Sequence, residues 1–208
     1  MYTIIEDCSP YYIRFTHPGI EEVINTCLDL TKDIDFVKWK THTNGFTQYR
    51  PPTEEAKILL SKIPMSKQFD FWLERVALFV TQPGRYYKAH KDGLSDRISI
   101  NYTVKILDDT CVTSWYSDEE LKEYTVEGHD WKLWKSRECA GFDKNSSTRH
   151  TPAKSMTAIA GECILFNTDI FHAVDNSRST HERIVLTFRL QNPGVHYFTD
   201  VKKTLFGI

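Results

Sequence analysis

The sequence predicts a mainly β domain, a sandwich or barrel, with flanking helices. Three observations carry this. From Phe71 onward, short runs rich in aromatic and β-branched residues recur at close spacing between turn signals. Two of these runs, Arg97 to Val104 and Arg183 to Leu190, alternate strictly between polar and apolar side chains, the period of a strand with two different faces. The two long stretches with helical periodicity both lie before residue 70.

The chain of 208 residues suits one domain, with a helix and strand support over 1–70, a β core over 71–190 and a tail over 191–208. With 40% hydrophobic and 26% charged residues it has the composition of a globular protein. Its formal net charge of −2 offers no general attraction to nucleic acid or anionic membranes, which counts against a nucleic-acid partner. The first residues lack a basic start and a long apolar run, and no stretch approaches the roughly 20 apolar residues of a membrane span, so a cytoplasmic location is expected. Five cysteines without a CxxC pair read as reduced structural thiols.

In chain order, Ile20, Val23, Ile24, Cys27 and Leu28 recur at helical spacing behind Pro18, with Glu21 and Glu22 in the first turn, and predict a helix over Gly19 to Lys32. Phe36 to Lys40 looks strand-like and Asn44-Gly45 marks a turn. A second helix starts at Thr53 as its cap after Pro51-Pro52, turns Ala56, Leu59, Leu60 and Ile63 to one side and stops at Pro64. Phe71 to Val80 reads as a strand ending at Pro83-Gly84, followed by a strand from Arg85 to Lys91 and a turn over Asp92 to Asp96. Arg97 to Val104 places Ile98, Ile100, Tyr102 and Val104 on one face and Arg97, Ser99, Asn101 and Thr103 on the other; that polar face is either solvated or lines a pocket inside a barrel. Ser117 with Glu120 forms a capping box for a short helix over Asp118 to Tyr124. The rest of 117–154 reads either as a lid over the site, which Trp131 and Trp134 favour, or as a mobile surface insertion. Strands resume at Ser155 to Ala160, Cys163 to Asn167, Phe171 to Asp175 and Arg183 to Leu190.

His90 and Asp92, two apart on an extended strand, point to one side, and a distant histidine, His172, can close a set of two imidazoles and one carboxylate. Such a set suits Fe(II), leaving positions open for O2 and a chelating ligand. On the last strand Arg183, Val185, Thr187 and Arg189 share a face; a buried arginine needs an anion, and a dicarboxylic ligand would supply one. Eleven residues after His172, Arg183 is expected to return near the metal end of an antiparallel neighbour. Arg189 is either a contact for a substrate carboxylate or an exposed strand end. Of Tyr86 and Tyr87, one should face the pocket and the other the core. The remaining histidines, His17, His42, His129, His150, His181 and His196, read as solvated.

The ordered set of His90-Lys91-Asp92, then Gly161-Glu162-Cys163-Ile164-Leu165-Phe166-Asn167 leading to Phe171-His172, then Arg183, resembles the Fe(II)- and 2-oxoglutarate-dependent dioxygenase superfamily, with its H-x-D, distant H and following R. The nearest likeness is to the aspartyl/asparaginyl β-hydroxylase and cis-proline hydroxylase group, over roughly Phe71 to Leu190. Asp92 departs from the aspartyl hydroxylases, which keep no carboxylate there, and argues against halogenation. The resemblance implies a double-stranded β-helix, the cupin-like jelly roll, with Fe(II) on His90, Asp92 and His172. It also implies 2-oxoglutarate on Arg183, with Arg97, Asn101 and Thr187 as further cosubstrate contacts. Tyr87, Trp115 and Arg189 are the candidate substrate contacts. The expected reaction hydroxylates an unactivated C–H bond of an amino acid or of a peptide or protein side chain, releasing succinate and CO2. The alternatives are the same chemistry on a nucleobase or other small metabolite, a cupin-like metal enzyme in which Arg183 has no role, and a non-catalytic binding module.

Overall fold

The computed structural model describes residues 1–36, 46–92, 97–121, 125–127, 137–139, 150–191 and 197–208. Its strands are β1 (Thr3–Cys8), β2 (Tyr12–Thr16), β3 (Phe46–Tyr49), β4 (Ala77–Thr81), β5 (Arg85–Lys91), β6 (Ile98–Lys105), β7 (Val112–Tyr116), β8 (Thr125–Glu127), β9 (Arg137–Cys139), β10 (Lys154–Thr157), β11 (Cys163–Asn167), β12 (Phe171–Asn176) and β13 (Arg183–Arg189). The helices are α1 (Ile20–Thr31), α2 (Thr53–Lys62), α3 (Asp118–Leu121) and α4 (Phe198–Phe206).

The strands form two antiparallel sheets, ordered β1-β2-β11-β6-β13-β4-β3 and β10-β7-β12-β5-β9-β8. At their centre β4, β13, β6 and β11 face β5, β12, β7 and β10, and the chain passes back and forth between the two sets. This is the jelly roll, a double-stranded β-helix with flanking helices. Among the described residues no helix is long and apolar enough to cross a membrane.

The alternation read in β6 and β13 decides how the layers are filled. Ile98, Ile100, Tyr102 and Val104 of β6 and Ile184, Leu186 and Phe188 of β13 join Ile13, Phe15, Leu78, Val80 and Leu165 in the main apolar core. That core lies outside the barrel, where the buried stripes of α1, α2 and α4 (Val23 and Cys27, Ala56 and Leu59, Val201 and Leu205) cover the sheet. Between the sheets, Trp115 stacks on Tyr12 at 4.9 Å and 24° and meets Phe166 at 4.9 Å, plugging one side of the barrel. The inward side chains Ser99, Asn101, Arg183, Thr187 and Arg189 line a pocket instead. Of the two readings of the β6 polar face, the pocket lining is the one observed.

Several expectations need correction. The expected strand from Phe71 to Val80 is broken. Phe71 bridges Leu190 while Ala77 pairs with Thr187, so six residues of this chain span three of β13, and the surplus folds out as a 3-10 turn at Leu73–Arg75. The N-terminal hairpin β1–β2, which extends the first sheet through the β2–β11 pairing, carries no period that distinguishes it in the sequence. The C-terminal tail contains α4, whose first turn is held by Asp200 Oδ2 accepting from the Tyr197 N–H at 3.3 Å. His17 is buried, with Nδ1 2.8 Å from the Pro18 carbonyl and Nε2 2.9 Å from the Tyr102 hydroxyl. Phe36 lies in a turn, and the rest of the expected strand to Lys40, with Asn44-Gly45, falls outside the described residues. The capping box is present: the Glu120 N–H donates to Ser117 Oγ at 3.3 Å and the Ser117 N–H to Glu120 Oε2 at 3.1 Å.

One end of the barrel is latched by Asn176. Its fully buried side-chain amide donates to the carbonyls of Thr81 (3.1 Å), Gln82 (3.1 Å) and His181 (2.9 Å), tying the β4–β5 turn to the turn before β13. An Asn176→Ala substitution strips buried carbonyls of their donors and should cost about 2–3 kcal/mol in urea unfolding. A loss below about 0.5 kcal/mol would show that the latch contributes nothing.

Candidate metal centre

The site begins with strand register. In the β5–β12 pair, His90 stands directly opposite His172, bringing the two rings to 4.3 Å between centroids at 54°. Beyond them the ladder shifts: the one residue of β12 between His172 and Val174 opposes the two of β5 between His90 and Tyr87. A bulge of this kind re-aims side chains. It brings Tyr87, at odd spacing from His90, into the same pocket, where its ring lies 4.2 Å from that of His90. Tyr86 goes the other way, against Ala89, Tyr116 and Phe171.

Asp92 follows the end of β5, and its backbone N–H donates to the Thr168 carbonyl at 3.1 Å. Its Oδ1 lies 3.6 Å from His90 Nε2, while Oδ2 accepts from Arg189 Nη2 at 2.7 Å. Each imidazole is oriented from behind, His90 Nδ1 by the Lys88 carbonyl at 3.0 Å and His172 Nδ1 by the Ile170 carbonyl at 2.9 Å. A carbonyl can only accept, so Nδ1 carries the proton and Nε2 presents its lone pair to the site. One ligand atom from each of His90, Asp92 and His172 falls within 4.8 Å of the others, a cluster able to hold a metal ion. Burial, reinforced by the neighbouring His90, pushes His172 down to about 3 despite the opposing pull of Asp92. Burial alone would raise Asp92; the charges of Arg189, His90 and His172 outweigh it and hold the carboxyl below its usual range. A neutral His172 and an ionised Asp92 at neutral pH are the ligand forms that a metal requires. The donor set of two nitrogens and one oxygen fits a divalent transition metal.

The pocket runs inward from this cluster. Arg189 faces Ser99 at the level of the triad, Thr187 faces Asn101 one step in, and Arg183 lies opposite Thr81 at the start of β13. The six residues from Arg189 to Arg183 advance roughly 20 Å along the strand, so Arg183 enters at the end away from the metal cluster and Arg189 returns to it. The spacing argument had these ends reversed, because it counted from His172 without the turn between β12 and β13. Arg183 is 6% exposed, and among the described residues its Nε has no hydrogen-bond partner. Burial lowers its pKa, outweighing the opposing effect of Cys111. Ser99 Oγ and Asn101 Oδ1 are likewise buried without partners among the described residues. Such orphaned groups call for an explanation: an anionic ligand accepts from Arg183 Nε and from the Ser99 hydroxyl, and from Asn101 once its amide is turned to present Nδ2.

Of the residues singled out in the sequence, the fold brings His90, Asp92, His172, Arg183, Asn101, Thr187, Tyr87 and Arg189 to one pocket. Arg189 is neither an exposed strand end nor aimed only at a substrate, since it grips Asp92. Arg97 lies outside the lining, with Nε 4.0 Å from Asp169 and its guanidinium over the Tyr197 ring. Trp115 belongs to the aromatic plug. Thr168, Phe79, Thr81, Phe166 and Val174 complete the walls and were not singled out; only Ser99, on the polar face of β6, carried a visible signal. Strand β9 of the insert pairs with β5, Glu138 opposite His90 and Arg137 opposite Lys91, so the insert reaches the metal strand. Trp131, Trp134, His42, His129 and His196 fall outside the described residues.

No protein-family model matches the chain, and no curated protein matches it. Among solved structures it is similar to the non-heme alpha-ketoglutarate-dependent carbocyclase SnoK from nogalamycin biosynthesis, with a TM-score of 0.53 and 11% identity over 86% of this chain and 79% of that one. It also aligns with the epimerase SnoN, solved with Fe3+, alpha-ketoglutarate and nogalamycin RO, with a TM-score of 0.46 and 10% identity over 86% and 78%. The likeness to SnoK is one of fold. The finer resemblance to the aspartyl/asparaginyl hydroxylase group rests on the sequence motifs alone.

The depressed His172 gives the metal-free protein a pH signature. Between about 6.5 and 3 the unfolded chain binds a proton at this residue that the folded chain refuses. Stability is therefore intact above that window and falls as pH drops through it, approaching about 1.4 kcal/mol per pH unit. Urea midpoints of metal-free His172→Gln should decline less steeply over pH 6.5 to 4.5 than those of the wild type. Parallel curves would remove His172 as the cause.

Proposed function

We propose that the protein is an Fe(II)- and 2-oxoglutarate-dependent oxygenase that hydroxylates an amino acid or a side chain of a peptide or protein. The observation that carries this reading is Arg183, a buried guanidinium lacking a partner at Nε, in the same pocket as a two-histidine, one-carboxylate cluster. A pocket for metal alone has no use for a second buried cation, whereas a ligand with carboxylates at both ends does.

In this reading His90, Asp92 and His172 hold Fe(II), and Arg183 binds the far carboxylate of 2-oxoglutarate as a bidentate fork. Asn101, Thr187 and Ser99 supply hydrogen bonds along its length, and Phe79, Phe166, Val174 and Val185 exclude water from it. Loaded with Fe(II), 2-oxoglutarate and O2, the site supplies oxidative decarboxylation to succinate and CO2 coupled to attack on an unactivated C–H bond. The Nδ1 contacts to Lys88 and Ile170 keep both imidazoles from rotating, and Arg189 keeps Asp92 facing the cluster with Oδ1. Asp92 fills the third ligand position, which favours hydroxylation over halogenation. In this reading the pairing of β9 with β5, Glu138 opposite His90, supports a role in substrate contact for the insert over 117–154.

Anaerobic Fe(II) with 2-oxoglutarate should give a weak visible charge-transfer band that His172→Ala abolishes; no band at saturating ligands would sink this reading. Arg183→Ala should weaken 2-oxoglutarate binding roughly 10- to 150-fold, the worth of hydrogen bonds to a charged group, while leaving metal affinity within a few-fold. Succinate release scanned across free amino acids, peptides and nucleosides then selects the substrate class.

A further inference from the structure

Away from the metal centre, a thiol and an amine meet where the two sheets end. β1 is the edge of one sheet and β10 the edge of the other. Cys8 of β1 packs against the aromatic plug, and Lys154 of β10 pairs with Trp115 of that plug, so both residues are held at one seam. Glu6 stands two residues before Cys8 on the same face of β1. One of its oxygens serves both groups: Oε1 accepts from the Cys8 thiol at 3.1 Å and lies 3.7 Å from Lys154 Nζ. The other, Oε2, accepts from Arg14 Nη1 at 3.2 Å. Burial would raise the Glu6 carboxyl, but hydrogen bonds from Cys8, Arg14 and Tyr12 outweigh it and hold the group below the usual carboxylate range. Hydrogen bonding to Cys8, ahead of the attraction of Glu6, lifts the Lys154 ammonium above the usual lysine range. The position of Cys8 also sets it apart. Cys27, Cys111 and Cys163 are fully buried, whereas Cys8 is half-buried beside side chains of Glu6 and Lys154 that are each about a third exposed.

We propose that Cys8 and Lys154 form a redox-modification site, which hydrogen peroxide converts into a covalent clasp between the two sheets. Peroxide gives one oxygen to the sulfur, leaving a sulfenic acid and water. Sulfenic acids condense with neighbouring nitrogen. Glu6 takes a proton from the ammonium, the freed amine attacks the sulfur, an S–N bond forms and the S–O bond breaks, the oxygen leaving as a second water. In sum one thiol, one amine and one peroxide give one S–N bond and two waters; sulfur loses two electrons and the O–O bond gains them. A thiol reductant reverses the reaction by displacing the amine from sulfur. Lys154 is the last residue of the insert over 117–154 and the first of β10, so the clasp ties the root of that insert to the N-terminal hairpin and closes a long loop of chain. An ordinary surface ion pair between Lys154 and Glu6 beside an inert thiol would do none of this.

The test treats the full chain, freed of metal, with a small excess of hydrogen peroxide, and maps its peptides by mass spectrometry without reduction. A linked pair containing Cys8 and Lys154 should appear, two hydrogens lighter than the sum of its parts, and dithiothreitol should separate it. A pair that keeps one oxygen between sulfur and nitrogen, which takes a second peroxide, joins the same residues and also supports the clasp. The oxidised protein should melt at least about 5 °C above the reduced one. Lys154→Arg, which keeps a cation beside Glu6, should form no pair, gain no thermal stability, and leave on Cys8 a sulfenic acid that dimedone traps. In the wild type, which needs no variant to fold, an unmodified Cys8 or a sulfenic acid without a linked pair would overturn the proposal. An equal thermal gain in Lys154→Arg would overturn it too.

Discussion

The register of β5 against β12 is the constraint on which the site depends. Because side chains alternate with period two, a slip of one residue would send His90 or His172 to the wrong side of the sheet and leave no cluster. Three features oppose such a slip. The bulge between His90 and Tyr87 fixes the count of residues along the pair. On its other side β12 is held by β7, with Trp115 opposite His172 and locked in the aromatic plug. The Asp92 N–H bonded to the Thr168 carbonyl ties the end of β5 to the turn that leads into β12.

The main apolar core lies outside the barrel, and the interior is divided between an aromatic plug and a pocket with polar and charged walls. The outer faces of β6 and β13 bury Ile100, Tyr102, Leu186 and Phe188 against the helices, which supplies the cohesion. The inner faces of the same strands are thereby free to carry Asn101, Thr187 and two arginines. A buried guanidinium costs several kcal/mol unless it is paired. Arg189 is compensated within the protein by Asp92, whereas Arg183 Nε finds no partner among the described residues.

Much of this was legible in the sequence for physical reasons. Strict alternation in Arg97 to Val104 and Arg183 to Leu190 reports two-faced strands directly, and Pro18, Pro52 and Pro64 flank the starts of α1 and α2 and the end of α2, although Thr53, read as a cap, is the first residue of α2 and makes no capping bond. The triad was readable because a histidine and a carboxylate two apart must share a face. Features that arise between distant segments were not legible. Nothing local announces the bulge that turns Tyr87 inward, the surplus residues that break Phe71 to Val80, or the meeting of Arg189 with Asp92 across 97 positions. Trp115 illustrates the same limit from the other side: an aromatic residue beside a polar insert reads as a substrate contact, yet Tyr12, more than a hundred residues earlier, claims its ring for the plug.

The latch at Asn176 has a consequence for the far end of the pocket. Thr81, whose carbonyl takes one of its hydrogen bonds, is the residue paired with Arg183, and His181, whose carbonyl takes another, stands two positions before it. One amide thus holds the backbone on both sides of the enclosed guanidinium, so the seat of that cation is set by a side chain that does not itself line the pocket.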